Sequence, residues 1–126
     1  MEPIFDNERP IYIQLVEMIR IDIVSGKFEK GQRLPSVREL ALTMKVNPNT
    51  MQKALAELEN EKLIYTERTN GKYVTEDEAL IEKVKKELAQ EKVNQYLRSM
   101  KSIGISYQTA VKYLQELGGE DGISKV

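Results

Sequence analysis

Apolar residues recur through most of this chain at the three-to-four-residue spacing that gives a helix one buried face. Tyr12, Leu15, Val16, Ile19 and Ile23 form the first such stripe, opened at Pro10 and stopped at Ser25-Gly26. Lys27 to Gly31 reads as a loop, and Gln32-Arg33-Leu34 as a short extended segment before Pro35. Ser36 then caps a second helix, with Glu39 three residues later completing a capping box. Its inward stripe is Val37, Leu40, Ala41 and Met44, and it ends near Met44-Lys45. Asn47 is a good cap for a third helix, Pro48 suits its first position, and the pattern runs to about Glu61. Met51, Ala54, Leu55 and Leu58 make its buried face. Leu63 to Thr66 and Lys72 to Thr75 read as two strands joined at Asn70-Gly71, a pair that favours a turn needing positive φ.

From Glu76 the pattern changes. Leu80 or Ile81, then Val84, Leu88, Val93, Tyr96, Leu97 and Met100, mark a long amphipathic helix. Ser102 to Ile105 breaks it, with Gly104 as the bend and Ser106 as the next cap. Tyr107, Ala110, Val111, Leu114 and Leu117 mark a last helix, stopped at Gly118-Gly119, with a frayed end from Glu120 to Val126. The expected fold is mainly α: a winged helix-turn-helix over residues 1–75, with a small β-hairpin wing, and a two-helix appendage over 76–126. Two helices are too small to form a core alone. A second copy of the chain, related by a two-fold axis, is the simplest cover for their apolar stripes. The residues expected at that dimer face are Leu80, Val84, Leu88, Tyr96, Leu97, Met100, Tyr107, Val111 and Leu114.

Composition narrows the chemistry. Cysteine and histidine are both absent, which removes disulfides, thiolate and imidazole metal ligands, and the usual general base. No enzyme, metal or cofactor is expected. No apolar run approaches the length of a membrane span, and the first residues carry Glu2 and Asp6 where an export signal is positive. A cytoplasmic protein without a membrane partner is the expectation. A net charge of −1 argues against a nucleic-acid partner only weakly. Phosphate attraction depends on charge within about 8–10 Å of the contact. There the third helix is favourable: it opens on Asn49, Thr50, Gln52 and Lys53, and its acids, Glu57, Glu59 and Glu61, come only later. Free N–H groups and the helix dipole at such an end attract phosphate.

Taken together, Pro10-Ile11-Tyr12, Gly26, Gly31, Leu34-Pro35-Ser36-Val37-Arg38-Glu39-Leu40-Ala41 and Val46-Asn47-Pro48-Asn49-Thr50 resemble the GntR family of bacterial transcription regulators. The match continues through Ala54, Leu58-Glu59, Leu63-Ile64 and Gly71-Lys72-Tyr73-Val74. The short helical tail is similar to that of the YtrA-like subfamily. That resemblance implies a homodimer on double-stranded operator DNA, often repressing an ABC transporter operon, and names no effector. It assigns DNA contact to Arg38. Three positions depart from the family pattern: Lys45 and Lys62 stand where glycine is usual after the second and third helices, and Thr69 replaces the first wing glycine.

The residues expected at DNA are Ser36, Arg38, Lys45, Asn47, Asn49, Thr50, Gln52 and Lys53, with Arg68, Asn70, Gly71 and Lys72 on the wing. Each has a plainer alternative. Ser36 and Asn47 can act as caps alone, Arg38 can pair with Glu39 or Glu57, the lysines can be ordinary surface lysines, and the hairpin can merely seal the core. Tyr96, Met100, Tyr107 and Tyr113 can line a ligand pocket or fill a helical interface. At the level of the whole chain, the alternative is a winged-helix module that binds protein instead of specific DNA.

Overall fold

The computed structural model describes residues 5–118. The expectations for Ile4, for Gly119 and for the stretch 120–126 lie outside the described residues. Five helices and one hairpin follow in order: α1 (Ile11–Val24), α2 (Val37–Met44), α3 (Pro48–Asn60), β1 (Ile64–Glu67), β2 (Gly71–Val74), α4 (Glu78–Ser102) and α5 (Tyr107–Leu117). By its contacts the chain divides into two units, Met1–Lys85 and Lys86–Val126.

In the first unit the sequence stripes become the core. Leu15 and Ile19 of α1, Leu40 and Ala41 of α2, and Met51, Ala54, Leu55 and Leu58 of α3 are buried together. Leu63, Ile64 and Val74 close it from the hairpin side, and Phe5 packs against it. Pro10 is the cap of α1, one position before the helix, and supplies no side-chain bond. The segment before the helix is held by Gln14, a buried polar residue that the apolar pattern passes over. Its carboxamide accepts from the Asp6 N–H at 2.8 Å and donates to the Asp6 and Arg9 carbonyls at 2.9 Å each. A buried amide held by three bonds fixes the incoming segment without an unsatisfied group.

Both lysines that replace glycine adopt the left-handed conformation, Lys45 at φ 56° and Lys62 at φ 65°. The hydrogen bonds explain why. After α3, Leu63 N–H donates to the Leu58 carbonyl at 3.1 Å and Lys62 N–H to Glu59 at 2.9 Å. After α2, Val46 donates to Ala41 and Lys45 to Leu42 in the same way. This pairing requires a left-handed residue whichever side chain is there. Lys62→Gly should therefore stabilise the protein by about 1 kcal/mol, read as a higher denaturant midpoint at unchanged slope.

The hairpin differs from the expected one by a residue. The strands pair antiparallel from Ile64 with Val74 to Glu67 with Gly71, which leaves Arg68-Thr69-Asn70 as the loop. Asn70 N–H donates to the Glu67 carbonyl at 3.2 Å. Gly71 alone of this stretch has positive φ, at 105°, so the left-handed residue sits at the start of β2 and not in a turn centred on Asn70-Gly71. The segment before Pro35 is extended as expected. Leu34 N–H donates to the Lys72 carbonyl at 2.8 Å and Val74 N–H to Gln32 at 2.9 Å, which bridges Arg33 to Tyr73.

By its contacts the first unit runs past residue 75 into α4. Ile81, in the second turn-length of α4, is buried in the core of the first unit, and Leu80 and Val84 pack against it. These two were expected at a dimer face; the apolar stripe of α4 serves its own domain first. In the second unit, the remainder of α4 and α5 meet at Ala110, which is fully buried and whose carbonyl accepts from the Tyr96 hydroxyl at 2.9 Å. Gly104, at φ 83°, makes the bend, and Ser106 caps α5 by accepting from Thr109 N–H. Gly118 is the C-cap. Tyr107, Leu114 and Leu117 are open to solvent, at 64%, 48% and 69% exposure, so this unit leaves much of its apolar stripe uncovered.

Candidate nucleic-acid interface

Two short helices joined by a tight turn place the polar opening of α3 at the surface. Asn47 Oδ1 accepts from the Asn49 N–H at 2.7 Å, so its cap role is realised. Pro48 at the first position has no N–H to satisfy. Asn49 and Gln52 are exposed and Thr50 is half-buried. No acidic side chain lies in this first turn. In α2, Ser36 and Glu39 form the reciprocal box: Glu39 N–H donates to Ser36 Oγ at 3.1 Å, and Ser36 N–H to Glu39 Oε1 at 3.3 Å.

Glu39 thereby spends its carboxylate on the cap. Among the described residues, Arg38 forms no ion pair with Glu39, Glu57 or any other acid, and it is exposed on α2. The acids at the far end of α3 are mostly answered within the fold. Arg20 of α1 holds Glu61 in a two-bond fork at 3.0 and 2.5 Å. Lys72 Nζ lies 2.6 Å from Glu59 Oε1 and 3.1 Å from Thr66 Oγ1, while the Thr66 hydroxyl also donates to Glu59. The near-zero net charge thus hides a local arrangement in which the opening of α3 is clear of acids.

This network gives Lys72 a place that spacing along the wing did not foretell. Arg68, Asn70 and Gly71 are exposed at the hairpin tip, but the Lys72 ammonium is turned back onto α3. Burial raises the Glu59 carboxyl, and hydrogen bonds from Lys72 and Thr66, with the Lys72 charge, more than offset that; the carboxyl is held below its ordinary range. A carboxylate with a lowered folded pKa adds stability above its unfolded value, and this is lost as pH falls through the folded one. Lys72→Gln should lower stability by about 1 kcal/mol at neutral pH and flatten the acid limb of the unfolding profile. It should leave the salt dependence of DNA binding unchanged, which a titration at several ionic strengths would read.

Two further basic residues have specific settings. Lys53 is exposed on α3, with its ammonium 3.9 Å from the centre of the Tyr12 ring, a cation–π position. Arg33, absent from the sequence candidates, lies beside β2, with its guanidinium near Gly71 at the loop end of the wing. A Cβ on Gly71 would stand 3.4 Å from its Nε. The signal for it was the extended segment itself: once that segment pairs with β2, its side chains must flank the wing.

In the second unit, Tyr96, Met100 and Tyr113 share an apolar groove of about 400 Å³ with Leu114 and Leu117. Tyr107 lines a separate one of about 270 Å³ with Leu97 and Ile105. The four residues suggested for one pocket therefore do not form one. Leu88, Leu97, Met100 and Val111 are half-buried. No group of acids fit to hold a metal ion occurs among the described residues, and no described helix is long and apolar enough to cross a membrane.

Comparison with known proteins places this geometry. The model of the gntR family of bacterial regulatory proteins matches residues 11–74, the span from α1 to the end of the wing. The chain is similar to the HTH-type transcriptional repressor YtrA of Bacillus subtilis, 31% identical over 115 residues, which cover 90% of this chain and 88% of that protein. Among solved structures, a GntR family transcriptional regulator from Listeria monocytogenes superposes with a TM-score of 0.81 at 41% identity, covering 89% of this chain and 98% of that one. The DNA-binding domain of AraR, solved in complex with operator ORX1, matches with a TM-score of 0.55 at 26% identity, covering 60% of this chain and 95% of that one.

Proposed function

The chain belongs to the gntR family of bacterial regulatory proteins, with the short tail of its YtrA-like members, and is a DNA-binding transcriptional regulator; from that premise we propose that it is a repressor gripping an inverted-repeat operator as a homodimer. The observation that carries this reading is the opening of α3, where Asn49, Thr50 and Gln52 surround a helix start with no acid in its first turn, beside an exposed Arg38 that forms no ion pair among the described residues. Arginine takes guanine O6 and N7 in a two-bond fork, and asparagine or glutamine takes adenine N6 and N7. Ser36 and Asn47 hold the two helix starts in place, where their N–H groups favour phosphate. Lys45, Lys53, Arg68, Asn70 and Gly71 serve the flanking backbone and minor groove.

The dimer supplies the second grip. Leu97, Met100, Tyr107, Val111 and Leu114, with Leu88 and Tyr96, offer the apolar face that a twin subunit covers. Two-fold symmetry then sets half-sites about one helical turn apart. YtrA is a repressor, and resemblance to its subfamily makes an ABC transporter operon the expected target. The reading is tested by titrating the protein onto DNA upstream of its own operon at several salt concentrations. Tight binding that weakens steeply with salt supports it. Equal affinity for that DNA and for random duplex would favour a protein-binding module.

A further inference from the structure

We propose that Arg33 is a further DNA contact, receiving a backbone phosphate in the groove between the wing and the start of α2. The proposal rests on the DNA-binding reading above and adds a residue that neither the motif nor the helix pattern picked out. The groove measures about 680 Å³ and is lined by Arg33, Ser36, Val37, Arg68, Thr69 and Gly71 among others. It lies between the two elements assigned to the grip on DNA. Its charge has to come from Arg33 and Arg68, because the Lys72 ammonium is bonded to Glu59.

Arg33 is held for this task from its backbone upward. Its neighbours bond β2 on both sides, Leu34 N–H to the Lys72 carbonyl at 2.8 Å and Val74 N–H to the Gln32 carbonyl at 2.9 Å. Its guanidinium lies along the Gly71 backbone, with Nε 3.4 Å and Nη2 3.6 Å from where a Cβ would sit. Glu39 and Glu67 also line the groove, but Glu39 is bonded to Ser36 N–H, and neither pairs with Arg33. An exposed planar fork of donors that lines an open groove, and that pairs with no acid among the described residues, suits a phosphate oxygen. Contact of this kind positions the protein and carries no sequence information.

The test uses the full-length protein and random-sequence duplex DNA, followed by fluorescence anisotropy from low to moderate salt. For Arg33→Gln the slope of log affinity against log salt should fall by about 0.9, the loss of one phosphate contact. Arg33→Lys, which keeps the charge, should retain the wild-type slope and covers the case in which the glutamine variant fails to fold. An Arg33→Gln protein that is folded and keeps the wild-type slope overturns the proposal, as does an Arg33→Lys protein that loses it. Wild-type protein without salt-dependent binding would instead overturn the DNA-binding reading itself.

Discussion

Cut after Lys85, the chain should still fold, should sediment as a monomer, and should bind its operator at least about a hundredfold more weakly than the full-length protein. The expectation follows from where the two units divide. Residues up to 85 contain the whole buried cluster, including Ile81 and the packed flanks Leu80 and Val84. What is removed is the uncovered apolar stripe of the second unit, in which Leu114 is 48% exposed and Leu117 69%. Without it each half-site must be held by a separate molecule, and the gain from tethering two contacts disappears. A cut after Thr75 is a different experiment. It strips Ile81, Leu80 and Val84 from the core, and should cost roughly 2–4 kcal/mol of stability beyond the shorter truncation. Sedimentation, thermal unfolding and operator titration on the two fragments separate these effects. A fragment ending at Lys85 that stays dimeric would place the subunit contact on the winged helix.

Arg38→Ala should weaken operator binding by about 1–3 kcal/mol, roughly five- to 150-fold, and relax discrimination at one base pair of each half-site. Its melting temperature should stay within a degree or two of the parent. The side chain is exposed and joined to no acid among the described residues, and Glu39 beside it keeps its capping bond with Ser36. Alanine is also a good helix former, so α2 loses nothing by the exchange. The fold and the readout are separable at this residue, which makes it the cleanest probe of the interface. An alanine variant of equal affinity would remove Arg38 from the contact, and one that unfolds early would show a structural bond as its main role.

Much of this architecture was legible in the sequence because the first three helices carry complete local signals. Ser36 with Glu39, and Asn47 with Pro48, mark helix starts that the hydrogen bonds reproduce. Lys45 and Lys62 stand where glycine is usual, and both adopt the left-handed backbone that such a position requires. Less legible were features decided by tertiary contacts. The Asn70-Gly71 pair signals a turn, but the pairing of Glu67 with Gly71 moves the loop to Arg68-Thr69-Asn70. The division of α4 between two units cannot be read from a stripe that runs unbroken along it. At the interface, residue type located the opening of α3, yet it could not say where long side chains point. Lys72 folds back to Glu59, Lys53 sits over Tyr12, and Arg33 comes forward over Gly71.

The central claim, that α3 enters the major groove by its amino end twice per dimer, is tested most directly by methylation protection of guanine N7 on the bound operator. Two clusters of protected guanines, centred about one helical turn apart on the same face of the duplex, are predicted. Tight binding that leaves guanine N7 open in both half-sites, or that protects one cluster only, would contradict it.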